Sequence, residues 1–277
     1  MRNIIVLLAC VATFIVAVSC GKKKDSQKVL VIYYSQTSNT KTVADEIANW
    51  LEADMEEIVP VKPYDGTYQE TIERCLQERE QGIIPEIQPV KSELSKYDVI
   101  FIGYPIWFGT YAPPVAAFLE SVDLTGKKVV PFCTFGSGGL TTSEKDLAAK
   151  QPGAELLPGY GVRAARMDAV PAEVETFLKR GGFIEGEVPE LEAFSEPRPV
   201  TEEESAIFDA AVSTYPMMGG AKASTVASRH IPEGMEYLFT TIPQPRNDNP
   251  RMPPPGEMKV YVLAADGQEP VFTQVVR

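Results

Sequence analysis

Segments typical of buried strands alternate with segments typical of helices along residues 28–183, and this alternation limits the possible folds more than any other feature. The strand-like segments are continuous apolar runs rich in β-branched residues, as expected when both faces of a strand are covered. They lie at 28–34, 56–61, 98–103 and 128–134, with a mixed extended segment at 154–162. Helical spacing of apolar residues follows at 43–51, 67–81, 113–121, 143–150 and 171–180. The pattern predicts an α/β domain with a five-stranded parallel sheet and right-handed crossovers.

One residue conflicts with this pattern. Pro131 lies inside the fourth predicted strand, where it has no N–H to donate to a central ladder. We therefore expect a local bulge at this position.

The pattern changes after residue 183. Residues 184–200 contain five glutamates and three prolines, a composition unsuited to a core, and we interpret them as an interdomain linker. Thr201 and Glu204 form a capping box that opens a helix. The apolar face of this helix carries Ile207, Phe208, Ala211 and Val212, and extended patterns follow at 224–231, 235–241, 258–264 and 270–276. Residues 201–277 are thus expected to form a small α+β domain with one helix on an antiparallel sheet.

The N-terminus has the features of an export signal. Arg2 precedes an apolar run from Ile4 to Val18, and small residues lead to Cys20. An uncleaved membrane anchor is the alternative, but a run of 15 residues falls short of the roughly 20 that span a bilayer. Ala17-Val18-Ser19-Cys20 resembles the lipobox of bacterial lipoproteins, although Ala17 stands where leucine is commonest.

The lipobox resemblance implies that Cys20 becomes the lipidated first residue of an exported protein held at the bacterial cell envelope, facing the periplasm or the cell surface. Residues 1–19 are then a signal peptide, and residues 20–27 are a lipid-anchored polar tether. Contact with the membrane is expected through this lipid only.

The charge of the chain argues against a nucleic-acid partner. The formal net charge is −12, and loss of Arg2, the one charged residue in 1–19, makes it −13. A negative surface repels nucleic acid and anionic lipid. It suits approach to a basic protein partner, or it serves only to keep the protein soluble.

Three unusual loops follow predicted strands, at the sheet edge where open parallel sheets bind ligands. The first is an uncharged polar loop that leads into a helix, comprising Ser35, Gln36, Thr37, Ser38, Asn39 and Thr40. Backbone N–H groups and the positive end of a helix dipole stabilise a phosphate at such a position. Ordinary helix capping is the alternative, but six consecutive polar residues exceed what a cap requires, so we favour a phosphate site.

The second and third loops are rich in aromatic residues and in glycine. The second comprises Tyr104, Pro105, Ile106, Trp107, Phe108 and Gly109, followed by Thr110 and Tyr111. Exposed rings require a cover, which is either a flat aromatic ligand or the second domain. The third begins at Thr134 and comprises Phe135, Gly136, Ser137, Gly138 and Gly139, where glycines permit close approach of a ligand.

Together these loops resemble those of a flavodoxin, specifically the bacterial flavodoxin-like group whose ring loop reads Gly-Tyr-Pro-Ile-Trp. The resemblance covers about residues 28–183 and implies a doubly wound sheet with strand order 2-1-3-4-5 and FMN as the cofactor. It implies that the 35–40 loop holds the FMN phosphate, although Ser38 stands where the family usually has glycine. Residues 105–108 would line the isoalloxazine, with Trp107 as the stacking ring, and residues 135–139 would border its other side.

The resemblance also implies the chemistry. FMN carries the electrons, and the protein supplies binding and a field that sets the potential. In flavodoxins a backbone carbonyl of the ring loop can meet the flavin N5 proton, and Phe108-Gly109 is the matching place here. The chain is then an electron carrier or an oxidoreductase that acts with an unknown redox protein or a small quinone-like acceptor. The alternative is a non-catalytic interaction module at the cell envelope that has kept the flavodoxin fold.

Other chemistries have little support in the sequence. A hydrolase would have to use His230, the one histidine, which lies in the second domain. No cysteine and histidine cluster has the spacing of a zinc site. Cys75 and Cys133 are the cysteines left after Cys10 and Cys20, and nothing in the sequence requires them to pair.

The second domain resembles the cystatin-like fold. Residues 226–229, Gly234 and Tyr237 match the first-hairpin pattern of that family. The protease-binding Gln-Val-Val-Ala-Gly motif is absent, so inhibition of proteases is not implied. Docking of a partner, or covering of the aromatic loop, are the roles we expect.

Overall fold

A computed structural model describes residues 27–213, 218, 220–242 and 257–276. The predicted signal peptide, Cys20 and nearly all of the tether lie outside these residues. None of the helices in the described ranges is both long enough and apolar enough to span a membrane.

The first sheet is mainly parallel. Its strands are β1 Val29–Tyr33, β2 Asp54–Glu57, β3 Val99–Trp107, β4 Thr110–Tyr111, β5 Lys128–Phe135, β6 Glu155–Leu156 and β7 Tyr160–Arg163. The order is β2-β1-β3-β5-β6, with β7 also paired to β5 and the short β4 paired antiparallel to β3. Counted over the successive parallel strands, this is the predicted order 2-1-3-4-5, which is confirmed.

Helices cover both faces of this sheet. They are α1 Asn39–Leu51, α2 Tyr68–Gln81, α3 Pro113–Ser121, α4 Thr141–Lys150 and α5 Val170–Arg180. Successive β1 residues point to opposite faces, as the pleat of a strand requires. Val31 packs in one core with α1 and α5, whereas Ile32 packs in a second core with α3 and α4. The doubly wound architecture is therefore confirmed.

Two elements differ from the sequence prediction. The second strand was predicted at 56–61, but β2 ends at Glu57, and residues 59–61 pair with residues 86–88 instead. The third strand was predicted to end at residue 103, but β3 continues to Trp107. It is extended because Tyr104 and Pro105 still pair with β5 and Ile106 and Trp107 pair with β4.

Pro131 is accommodated by a break in the neighbouring strand rather than by the expected bulge. The carbonyl of Val129 accepts a hydrogen bond from Leu157 N, 2.9 Å away. Residues two apart on a strand point their N–H and C=O groups to the same side, so Pro131 also faces this side. There β6 ends at Leu156 and β7 begins at Tyr160. The gap removes the need for the missing donor.

The second sheet is antiparallel and carries one helix. Its strands are β8 Arg198–Pro199, β9 Lys222–Ile231, β10 Gly234–Ile242, β11 Lys259–Ala265 and β12 Val271–Val276, in the order β12-β11-β10-β9-β8. Helix α6, Glu202–Ser213, begins with the predicted capping box, since Glu204 N donates to Thr201 Oγ1 (3.2 Å) and Thr201 N donates to Glu204 Oε2 (3.0 Å). Phe208 packs on this sheet in a separate core with Phe239 and Phe272.

Candidate functional site

The polar loop 35–40 ends in an uncapped helix N-terminus. Ser38 is the N-cap of α1, yet its side chain makes no capping hydrogen bond, and the first turn contains no acidic residue. The first N–H groups of a helix have no acceptor within the helix. They and the helix dipole attract an anion. The first turn of α1 is thus free to bind one.

Ser38 has a backbone conformation that favours glycine. Its φ is 66° and its ψ is −10°, in the left-handed region. An L-residue there costs roughly 1–2 kcal/mol, whereas glycine reaches it freely. Glycine, which the resemblance leads one to expect at this position, would adopt this conformation without strain, whereas Ser38 adopts it at a cost.

A hydroxyl of this loop is buried without a partner. The Oγ atom of Ser35 is removed from solvent and makes no hydrogen bond to any described residue. Buried polar atoms nearly always have a partner, so an unpaired hydroxyl in the loop that leads to a free helix N-terminus suits the binding of a polar ligand. Further along the loop, Thr40 Oγ1 lies 2.8 Å from Thr134 Oγ1 and joins the first and third loops.

Gln36 has a different role from its neighbours. Its Nε2 donates to Tyr64 O (2.8 Å) and lies 3.3 Å from Thr71 Oγ1. The side chain therefore ties the loop to α2 and the segment before it. Thr37 and Ser38 are exposed, and Asn39 is half-buried.

The aromatic loop is a tight hairpin between β3 and β4. Trp107 pairs with Thr110, and Phe108 and Gly109 form the two-residue turn. Their φ angles are 51° and 89°, both positive as a type I′ turn requires. A bulky residue such as Phe108 rarely adopts positive φ. The residue is 45% exposed, and its ring centroid lies 5.6 Å from Cζ of Arg79.

Trp107 is held by two tyrosines. Its ring meets Tyr34 edge-on at 5.8 Å and Tyr64 at 5.3 Å between centroids. The hydroxyl of Tyr64 donates to Glu78 Oε2 at 2.7 Å, and the Arg74 guanidinium covers the Tyr64 ring at 3.7 Å. Burial, and then the hydrogen bond to Glu78, raises the pKa of Tyr64 well above its usual value. The phenol therefore remains neutral and fixed beside Trp107.

The ring contacts of the aromatic loop that involve described residues lie within the first domain. Besides those of Trp107, Tyr104 packs edge-on against Tyr111 at 5.8 Å and is fully buried. The sequence allowed either a ligand or the second domain as a cover for these rings. Tyr104 and Trp107 are instead covered largely by their own domain, and Phe108 is left on the surface.

A second unpaired hydroxyl lies on this hairpin. Thr110 Oγ1 is removed from solvent and has no partner among the described residues. Cross-strand neighbours share one face of a sheet, so Thr110 lies on the same side of the hairpin as Trp107. The two unpaired buried hydroxyls, on Ser35 and Thr110, thus belong to the first loop and the end of the second.

The third loop is shaped by glycine and contacted from outside. Gly138 has a φ of 102°, in the region that favours glycine. Arg163, at the end of β7, donates from Nε to Gly136 O at 3.1 Å. Val275, in the second domain, donates from its N–H to Gly138 O at 3.1 Å.

Sequence reasoning identified the three loops but missed four residues that hold them. Tyr34 could have been found, since it directly precedes the polar loop. Tyr64 lies in an irregular segment, Arg163 is the last residue of β7, and Val275 lies within β12, none of them in a local motif. No pattern in the sequence indicates that these three approach the loops.

The residues considered for other chemistries lie elsewhere. The Cys75 and Cys133 thiols are free and buried, and burial raises the pKa of Cys75 to about 11 and that of Cys133 well above its usual value. The His230 side chain is 76% exposed, with Nδ1 3.7 Å from Glu192 Oε2. Among the described residues, no group of three or more His, Cys, Asp or Glu side chains is placed to hold a metal ion.

Comparison with known proteins gives a consistent result for the first domain. A family model described as Flavodoxin matches residues 28–176. The chain is similar to a candidate flavoprotein from Bacteroides uniformis, with 30% identity over 55% of this chain and 99% of that one, and a TM-score of 0.49. It is similar to a candidate flavoprotein from Bacteroides eggerthii, with 29% identity over 54% and 97% and a TM-score of 0.47. It is also similar to a flavoprotein in complex with FMN from Lactobacillus acidophilus, with 25% identity over 49% and 93% and a TM-score of 0.45.

Proposed function

Because this chain belongs to the flavodoxin family through residues 28–176, we propose that its first domain binds FMN and acts as an electron carrier or a flavin-dependent oxidoreductase. The observation that carries the proposal is the buried, unpaired Oγ of Ser35 beside the uncapped N-terminus of α1.

The donors of the polar loop suit a phosphate ester. A phosphate accepts several hydrogen bonds, and the loop offers first-turn N–H groups, the Ser35 hydroxyl and the exposed hydroxyls of Thr37 and Ser38. The cation nearest in sequence, Lys41, is already paired with Asp45 at 2.7 Å. The phosphate would therefore be held by neutral dipoles rather than by a basic side chain.

The second and third loops suit the ring of the cofactor. Trp107, held edge-on by two tyrosines, keeps one orientation, and Phe108 and the third loop would shield the ring from water. FMN, when bound, supplies the one- and two-electron chemistry. The chain's contribution is to orient the ring, and the Phe108 carbonyl, in the strained turn, is where we place the acceptor for a ring N–H proton.

The partners are proposed from charge. The chain has a net charge of −12, which favours approach of a basic redox protein and does not hinder a neutral, quinone-like small molecule. Anionic partners such as nucleic acid are disfavoured.

A flavin titration tests the cofactor. The chain from Gly21 onward would be purified, examined for a flavin absorbance spectrum, stripped, and titrated with FMN and with riboflavin, which lacks the phosphate. The phosphate should accept two or more charge-assisted hydrogen bonds, each worth about 1.5–3 kcal/mol, so FMN should bind at least ~100-fold more tightly than riboflavin. Dithionite should bleach the bound flavin, and a quinone should restore its colour. Equal affinity for both flavins would contradict the phosphate site, and no binding of either would leave the interaction module as the better explanation.

We also propose that the protein is anchored to the cell envelope through lipid on Cys20, on the basis of Ala17–Cys20 and the preceding apolar run. Metabolic labelling with an alkyne fatty acid should mark the full-length chain, and the labelled chain should be found in the membrane fraction. Cys20→Ser should remain unlabelled. An unlabelled wild-type chain would contradict the anchor without affecting the flavin proposal.

A further inference from the structure

The last strand of the second domain lies against the third loop of the first. Strand β12 is at the edge of its sheet and pairs with β11 on one side only. Its other side points Val275 N–H at Gly138 O, 3.1 Å away. An open sheet edge is a row of donors and acceptors that needs partners, and here the third loop supplies one.

Arg163 forms a second link between the same two elements. Its buried guanidinium donates from Nε to Gly136 O (3.1 Å) and from Nη1 to Phe272 O (2.8 Å). It also lies over the Phe272 ring, with Cζ 3.3 Å from the centroid. One side chain of the first domain therefore joins the third loop to the start of β12.

The contact between the two is close. A Cβ atom added to Gly139 would come within 2.5 Å of Gln274 Nε2, so the β12 side chain packs directly on the glycine backbone. The loop thus meets β12 or its bridging arginine at Gly136, Gly138 and Gly139.

These contacts set the direction of the loop's N–H groups. A trans peptide is planar, with its C=O and N–H pointing opposite ways. Because the carbonyls of Gly136 and Gly138 turn toward Arg163 and β12, the N–H groups of Ser137 and Gly139 turn away from them. Neither N–H donates to any described residue. A loop with three glycines loses considerable conformational entropy when it becomes ordered. The contacts with Arg163 and β12 offset this cost.

We propose that β12, with Arg163 as a bridge, is a positioning element for the flavin. It holds the third loop so that the N–H groups of Ser137 and Gly139 face the electronegative edge of the cofactor ring. The appended domain is then a structural part of the cofactor site, although it supplies no group that touches the reacting atoms. The inference rests on the proposed FMN binding and adds the role of the second domain.

The test compares Val275→Pro with Val275→Ala in the whole chain from Gly21 onward. Both lose the valine side chain from the core of the second domain, but only proline loses the N–H, and an edge strand tolerates proline. Relative to Val275→Ala, Val275→Pro should weaken FMN binding about 3- to 10-fold, as expected for one hydrogen bond. In the flavin-free protein, the amides of residues 136–139 should exchange with deuterium about 3- to 10-fold faster, a readout that needs no cofactor.

Arg163→Lys is the second variant, for the case in which Val275→Pro does not fold. Lysine keeps the positive charge but lacks the planar guanidinium that donates to Gly136 O and Phe272 O at the same time. This variant should therefore weaken FMN binding about 3-fold or more relative to wild type. Each variant that folds is compared with its own control, which is Val275→Ala for Val275→Pro and wild type for Arg163→Lys. An FMN affinity within twofold of that control would overturn the inference while the proposed function stands. If the wild-type chain did not bind FMN, both the proposed function and this inference would be refuted. This outcome is distinguishable from the previous one, because Val275→Ala would then also fail to bind FMN.

Discussion

Replacing Ser35 with alanine should raise the stability of the flavin-free protein and weaken its binding of FMN. The Oγ atom of Ser35 is buried and has no hydrogen-bond partner among the described residues. In the absence of a ligand, the hydroxyl has lost its water and gained nothing in return. Alanine differs only by this oxygen, so the substitution removes the unfavourable group with little change in packing.

The two expected effects have opposite signs and different sizes. An unsatisfied buried polar group costs about 1–3 kcal/mol, so the flavin-free variant should gain about 1 kcal/mol after the small loss of contacts. For a domain of this size that is a rise of roughly 2–4 °C in Tm. A hydrogen bond to a charged phosphate is worth about 1.5–3 kcal/mol, so the Kd for FMN should rise ~10- to 150-fold. Riboflavin binding should stay within about twofold, because riboflavin has no phosphate.

Thermal melts of the flavin-free protein and fluorescence titrations with both flavins would measure these effects. Ser121→Ala is a suitable control, since Ser121 Oγ already donates to Phe118 O at 2.8 Å. Because Ser121 is exposed at the end of α3, that variant should change the stability by no more than about 0.5 kcal/mol and should bind FMN normally. A lower Tm for Ser35→Ala together with unchanged FMN affinity would refute the assignment of this hydroxyl to the phosphate.

Three further predictions concern other residues. Thr110→Val should stabilise the flavin-free protein by about 1 kcal/mol, because it removes the other unpaired hydroxyl, and should weaken FMN binding several-fold; unchanged affinity would show that the hydroxyl does not face the cofactor. Ser38→Gly should gain roughly 0.5–1 kcal/mol by relieving the φ of 66°, whereas Ser38→Ala should not, and chemical denaturation of both would decide. The Arg198 guanidinium holds the pKa of Glu204 at about 2, below its ordinary 4.5, so this pair's stabilisation is present above pH 4.5 and is lost as the pH falls to about 2. Because Arg198 is half exposed, the effect should be small: over this pH range the free energy of unfolding of wild type should fall by only about 1 kcal/mol more than that of Glu204→Gln. Profiles of Tm against pH that run parallel for the two proteins would contradict this prediction.

Local patterns in the sequence determined the elements and their order. The apolar runs became β1, β3 and β5, and the helical spacing at 113–121 matches α3 residue for residue. The capping box at Thr201 and Glu204 is present as predicted. These features are readable because strand and helix periodicity and helix capping depend on residues that lie close together in the chain.

The candidate site was only partly readable. The three loops could be located because the carboxyl ends of parallel strands meet at one edge of the sheet. The tyrosines around Trp107 could not, since Tyr64 reaches it from an irregular segment whose path no local pattern sets.

Only the tertiary structure decided how a proline is accommodated inside a strand and which part of the first domain the second domain contacts. Pro131 needs no bulge because β6 and β7 leave a gap beside it, a feature of the neighbouring strand rather than of the proline's own segment. The link from Val275 to Gly138 depends on how two different sheets pack against each other. Such contacts join residues far apart in sequence, and neither partner has a local signal that specifies the other.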